Sequence, residues 1–324
     1  MRRYLSVRVM WAIPTLFGIV LAGFVLTRVL PGDPAQILVG DFPAPPGYIE
    51  EIRARYGLDQ SYVEQFVAYI SSLLHADLGY SFMHGQPVTR LVFQRAGWTL
   101  LIMVPALVIA SVVGVFLGSA AARRQGTKWD TLITAFAITG RSVPVFWLAI
   151  LLVMVFAVRL GWFPTSGMRT VGSSLTGLGA ITDVFRHMVL PMATLSLAYT
   201  TVVARVARTS IVESSHEDFV DTALAKGLDD RAVHWRHVVR NSLIPVVTVI
   251  GFNFGFALTG AILTETVFGW PGVGSLLITA VTARDYPVIL AVLLLAAVMV
   301  VVFNLVTDLA YVLIDPRAKV SDEA

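Results

Sequence analysis

Residues 217–246 read EDFVDTALAKGLDDRAVHWRHVVRNSLIPV, a stretch crowded with acids and bases and punctuated by one glycine, Gly227. The chain around it is of another kind. Of its 324 residues 56% are hydrophobic and only 14% are charged, and the mean hydropathy is +0.75. That balance lies far from a soluble domain and reads as an integral membrane protein. The polar residues are bunched between long apolar runs, as expected when each run crosses a hydrocarbon core that takes about 20 helical residues. The chain is therefore expected to be all-α. There is no cysteine, which excludes disulfides, thiolate nucleophiles and cysteine-ligated metal sites. The pI near 9.3 does not point to nucleic acid, because the net charge is only +3 and the bases flank the spans.

The apolar runs predict six transmembrane helices, at about 9–30, 97–122, 131–158, 187–207, 243–264 and 287–313. The chain divides accordingly into 1–30 (cytoplasmic end and first span), an extracytoplasmic loop 31–96, a five-helix core 97–313 containing a cytoplasmic loop 208–242, and a cytoplasmic tail 314–324. The first span follows Arg2, Arg3 and Arg8 and carries no small-residue cleavage site, so it is expected to be a retained anchor. Arg123, Arg124 and Lys128, the bases from Arg205 to Arg240, and Arg317 with Lys319 fall on alternate sides of the spans from less basic loops. The charge bias places all of them, and both termini, inside. The 31–96 loop is long enough to fold. Tyr62, Phe66, Tyr69, Ile70 and Leu73 recur at helical spacing, so two short helices are expected against the membrane face, capping the bundle or meeting an external partner.

The opening stretch thus belongs to the cytoplasmic side. A helix from about Glu213 to Lys226 would carry Phe219, Ala223 and Thr222 or Lys226 on one stripe, with Glu217, Asp218 and Asp221 flanking it. Gly227 would end it in the left-handed conformation, and Asp229 or Asp230 would cap a second helix bearing Val233, Trp235, His237 and Val239. Small Ala223 and Ala225 near the turn suit reception in a groove of another protein; an ordinary interfacial helix pair fits the same pattern.

The stretch resembles the EAA loop of ATP-binding cassette importer permeases, through Asp221, Thr222, Ala223, Gly227, Ile244 and Pro245. Asp and Thr stand where the general pattern has Glu and Ala, and the interval from Gly227 to Pro245 is longer than in sugar importers. Both departures are typical of the dipeptide/oligopeptide/nickel branch. LPGDPA, YGLDQ, DLGYS, WFPTSG, HMVLPMATLSLAY, ARTS, RNSLIPVVT, ETVFGWPGVG and RDYPVI extend the likeness along the chain, closest to the B-type subunit. The resemblance implies a type I importer permease fold in a bacterial or archaeal cytoplasmic (inner) membrane, importing short peptides. Nickel chelates, glutathione or another small solute are the alternatives within the class. It implies coupling to an ATPase through Phe219, Asp221, Thr222, Ala223, Lys226, Gly227 and Leu228. It also implies a second permease subunit, one or two kinds of ATPase subunit and an extracytoplasmic substrate-binding protein. No phosphate loop of the GxxxxGK[ST] type occurs, so ATP and magnesium belong to the partner subunits and no cofactor to this chain.

Ionisable residues within the spans are the candidates for a translocation path. Arg141, just before Pro144, either faces a central cavity or snorkels to the headgroups. Glu265 either lines an outer gate or caps and pairs at an interface. Asn304 and Asp308, four apart, suit interhelical hydrogen bonds. His216, His234 and His237 lie in the cytoplasmic loop and His75 and His84 outside, none at convincing ligand spacing, so no metal site is expected. Ser166 lacks a His/Asp partner in the sequence, which argues against an intramembrane hydrolase. A secondary transporter or channel is the remaining rival, and no internal repeat supports it.

Overall fold

The computed structural model describes residues 2–29, 45, 47–55, 57–255 and 261–314. The LPGDPA segment, the basic tail and Tyr56 of YGLDQ lie outside them. The first helix, α1 (Arg2–Val29), is followed by α2 (Tyr48–Arg55), α3 (Tyr62–Leu74) and a two-residue hairpin of β1 (Tyr80–Ser81) and β2 (Gln86–Pro87). The hairpin leads straight into α4 (Val88–Arg123). After it come α5 (Lys128–Ser142), α6 (Val145–Leu152, continuing as a π-helix to Arg159) and α7 (Leu178–Ser214). Next are the short α8 (Asp218–Ala225) and α9 (Asp230–Val233, running through a π-helical turn to Asn241) and α10 (Leu243–Gly255). The chain closes with α11 (Ile262–Phe268), α12 (Val273–Ala283) and α13 (Tyr286–Ile314).

Two rods, α4 and α7, form the spine. They are 36 and 37 residues long, about 54 Å each at 1.5 Å per residue. Their close approach comes from small residues. A Cβ on Gly118 would lie 2.6 Å from the Ala204 carbonyl oxygen and 2.7 Å from the Ala207 Cβ, and one on Gly114 would lie 2.6 Å from the Val203 Cβ. The stretch GVFLG at 114–118 is thus a small-xxx-small face, which lets backbones pack where lipid gives no hydrophobic drive to association. Gly140 on α5 does the same against Thr201, and Gly251 on α10 against Thr307 of α13.

Among the described residues three helices are long and apolar enough to cross a membrane unaided: α4, α7 and 286–310. Three bent pairs pass only when joined: α5 with α6 (101°), α9 with α10 (50°) and α11 with α12 (87°). The described side chains of α1, over Met10–Leu26, form a further apolar helix. The expected straight span at 131–158 is therefore two helices. Pro144 explains the break: it pushes Val143 to an extended φ −78°, ψ 122°, since a proline disfavours helical backbone in the residue before it. Residues 265–286, read from sequence as a loop, contain α12. The helix expected over Glu213–Lys226 is also divided, because α7 runs on to Ser214 and α8 begins at Asp218.

Candidate functional site

The pair α8–α9 is built as the sequence dictates at its turn. Gly227 has φ +79°, and a Cβ at this position would meet nothing within 4 Å, so the role of the glycine is conformational rather than steric. Asp229 caps α9 by accepting from the Arg231 N–H at 3.1 Å. The faces differ from expectation. Ala223 is only 6% exposed and packs with Val233, Val238, Val239 and Ile211, with half-buried Phe219 beside it. Both turn toward the rest of the chain. The surface left open includes Asp221, Thr222, Leu224, Ala225, Lys226, Gly227 and Leu228. The π-helical turn at 234–238 shifts the phase of α9, so that Val233, Val238 and Val239 are buried while Trp235 is exposed.

Two polar contacts fasten this pair to the spine. Ser119 of α4 and His234 share a hydrogen bond of 2.7 Å; burial, with Arg123 nearby, pushes the imidazole below its ordinary range. Ser210 of α7 donates to the Ser242 carbonyl at 3.0 Å. Next to them the Asp130 carboxylate takes a bidentate contact from Arg208, with the Nη2 bond at 2.8 Å, and accepts from the Gly126 N–H at 3.0 Å. Such a fork fixes direction as well as distance. Ser119, Asp130 and Arg208 did not emerge from sequence reading. The available signals were a serine near the basic end of an apolar helix and two charges bordering spans.

The opposite end is organised around Glu265. Its side chain is 0% exposed. The carboxylate accepts from the Thr99 hydroxyl at 2.6 Å and the Ser275 N–H at 3.0 Å, with the Gly274 N–H also directed to it. Thr99 in turn accepts from the Val273 N–H at 2.8 Å. The first turn of α12, whose own N-cap Gly272 has no side chain to offer, is capped from α11 and α4 instead. A side chain on Gly272 would fall onto that carboxylate. Trp270, 0% exposed, donates its indole N–H to the Trp98 carbonyl at 2.9 Å. Within this chain Glu265 thus caps the first turn of α12. Arg141 ends α5 and is exposed in the single chain; Asn304 is exposed and Asp308 buried on α13.

The motifs scattered along the chain meet in pairs. Gly167 of WFPTSG donates to the Phe268 carbonyl of ETVFGWPGVG at 2.8 Å. Ser81 of DLGYS donates to Asp285 of RDYPVI at 2.6 Å, with the His84 ring 3.1 Å away. ARTS and RNSLIPVVT join through Ser210 and Ser242. Ser166 is exposed in its loop. His75 bonds the Ser71 carbonyl of its own helix at 2.8 Å. Among the described residues no group of three or more His, Asp or Glu is placed to hold a metal ion.

Comparison with known proteins agrees with this architecture. Over 98% of its length the chain is 36% identical to the di/tripeptide transport system permease protein DppB of Pseudomonas aeruginosa (strain UCBPP-PA14), covering 99% of that protein. It is 40% identical to the glutathione transport system permease protein GsiC of Escherichia coli O6:H1, and 34% identical to the oligopeptide transport system permease protein AppB of Bacillus subtilis (strain 168). Each of these matches covers 98% of this chain and 99% of the relative. In fold it resembles the inward-facing MetNI methionine ABC transporter, with a TM-score of 0.54 at 14% identity over 69% of this chain and 96% of that one. The family described as the binding-protein-dependent transport system inner membrane component matches residues 114–320, and its N-terminal counterpart matches residues 1–103. This chain belongs to the family of inner membrane components of binding-protein-dependent transport systems.

Proposed function

We propose that this chain is one permease subunit of an ATP-driven importer of short peptides. The observation that carries the reading is the end-to-end similarity, 34–40% identity, to permeases named for di/tripeptide, oligopeptide and glutathione transport. Glutathione is itself a tripeptide, and GsiC gives the highest of the identities quoted, so it is the second reading. The chain crosses the membrane six times with both termini inside, by α1, α4, α5 with α6, α7, α10 with α11, and α13, in keeping with the charge bias. A second homologous permease completes the pathway. An extracytoplasmic binding protein delivers the substrate, and separate ATPase subunits supply ATP chemistry with magnesium.

Coupling to those ATPases runs through the open face of α8 and its turn: Asp221, Thr222, Lys226, Gly227 and Leu228. Phe219 and Ala223 act from behind, by holding that face on α4 and α7. Motion of the pair reaches the bundle through Ser119 and Ser242, a rigid-body device of the kind that interconverts two packed states. Arg141, next to the Pro144 break, attracts substrate carboxylate into the path.

The test is uptake in cells carrying the intact transporter. Labelled di- and tripeptides should enter in a manner dependent on this chain and on ATP, and glutathione should compete only if the second reading holds. Uptake of neither refutes the peptide-class assignment. Orientation is tested separately: Lys226 should resist an impermeant external amine reagent, whereas Gln60→Cys should react with an external thiol reagent.

A further inference from the structure

Helix α3, YVEQFVAYISSLL, has one charged residue, Glu64, and more apolar surface than its protein contacts cover. Phe66 and Tyr69 face α1. Phe66 sits edge-on to Phe24 and Phe17, with ring centroids 5.1 and 6.0 Å apart, and Tyr69 stacks on Phe24 at 6.0 Å. Beside that contact run Val63, Val67 and Leu74, which fall within about 40° of one another at 3.6 residues per turn. They are 72%, 61% and 82% exposed. Glu64, Ala68 and Ser71, also exposed, occupy the next sector round.

The depth of this stripe follows from its neighbours. Counting a hydrocarbon core of about 20 residues outward from Arg8, at the basic end of α1, brings its outer boundary to about residue 28. Phe24 therefore lies about 6 Å inside the boundary, and Phe17, seven residues earlier, about 10 Å deeper. Phe66 touches both rings, which sets α3 in the outer leaflet close to the boundary. Phe17 touches Phe66 yet remains half exposed, so the apolar outer surface of α1 runs on to α3.

We infer that α3 is an interfacial lipid-binding helix, its Val63–Val67–Leu74 stripe entering the acyl region of the outer leaflet while Glu64 and Ser71 stay in headgroup water. An arc of apolar residues beside a polar arc, at that depth, is the arrangement of helices that lie in the interface plane. Having one acidic and no basic residue, it binds hydrocarbon and not anionic headgroups.

The lack of cysteine makes the test direct. Val67→Cys, Leu74→Cys and Ser71→Cys are each nitroxide-labelled in the full-length chain, within the assembled transporter, in phosphatidylcholine nanodiscs. Labels at 67 and 74 should relax several-fold more with oxygen than with a nickel chelate, and the label at 71 should show the reverse. Exchanging half the lipid for phosphatidylglycerol should leave this contrast unchanged. Nickel access equal at all three positions overturns the inference, as does exclusion of both reagents at 67 and 74, which would mean that a protein surface covers the stripe.

Discussion

The two ends of the bundle are fixed by different chemistry. At the end proposed to face outward, the first turn of α12 closes over a fully enclosed carboxylate and threonine, each meeting backbone N–H groups that would otherwise be orphaned. At the end proposed to face inward, α8 and α9 rest on an aliphatic cluster with a few single hydrogen bonds at its edges. A polar hub admits one geometry, because every alternative leaves a buried donor unpaired. An aliphatic seat tolerates small shifts at small cost. The outer turn is built as part of the wall, and the inner pair as a part that keeps its place while leaving one face open.

Removing the hub is expected to have the largest effect. Glu265→Leu strands the Thr99 hydroxyl and the N–H of Ser275 in a dry site, at ~1–3 kcal/mol for each orphaned group. Folded protein recovered on size-exclusion chromatography should fall several-fold, and the melting temperature should drop steeply. Glu265→Gln keeps an acceptor for Thr99 and should lie between. A stable Leu variant would show that the outer turn needs no cap and would erase the contrast between the ends.

Next comes the spine that both ends share. Gly118→Ala forces a Cβ toward the Ala204 carbonyl, and overpacking of this kind costs ~1–3 kcal/mol. Gly97→Ala on the same helix meets nothing within 4 Å and should be neutral or gain up to ~1 kcal/mol from helix propensity. Thermal melts of the two variants in one detergent compare packing with propensity directly.

At the inner turn the expected cost is smaller, and it is conformational. Gly227→Val should lose ~1–2 kcal/mol locally by disfavouring the left-handed cap, with little change in global melting, while Gly227→Asn should be nearly silent. The readouts are retention of ATPase subunits on purification and substrate-stimulated ATP hydrolysis, which Val should depress and Asn preserve. A Val variant that melts as early as Glu265→Leu would mean that the inner pair is as integral to the fold as the outer turn.

The least effect is one of pH. The His234 ring is held below its ordinary range, so the free ring binds a proton more readily than the docked one. Docking is fully supported above the free value of about 6.5 and weakens as pH falls below it. Hydrogen exchange over 230–241, corrected for intrinsic rates, should be faster relative to the spine at pH 5.5 than at pH 7.5. His234→Gln should abolish that difference.

Much of this was legible in the residues. Gly227 and the pair Asp229–Asp230 announce a left-handed stop and a cap because local backbone chemistry alone decides them. The apolar runs announce helices for the same reason. What escaped is set by contacts distant in sequence. Nothing near Ala223 says that its small side chain is needed against Val233 and Val239 on its own chain, and the stripe on which it sits fits an inward or an outward face equally. Glu265 reads as an intramembrane acid until Thr99, 166 residues away, is known to sit beside it. Pro144 was in view inside the expected span 131–158, but the break there and its 101° bend were not, since hydropathy measures length and is blind to direction.

Thr99 and Ser119 stand on the same helix, about 30 Å apart along its axis. One receives the outer turn and the other the inner pair. A continuous helix is stiff in bending, so a tilt imposed at Ser119 reappears at Thr99 as a sideways displacement multiplied by the distance from the pivot. Between them lies Pro105, where one backbone hydrogen bond is missing and bending stiffness is least. Bending of this arm is thus expected to concentrate at a single residue that lies at neither end.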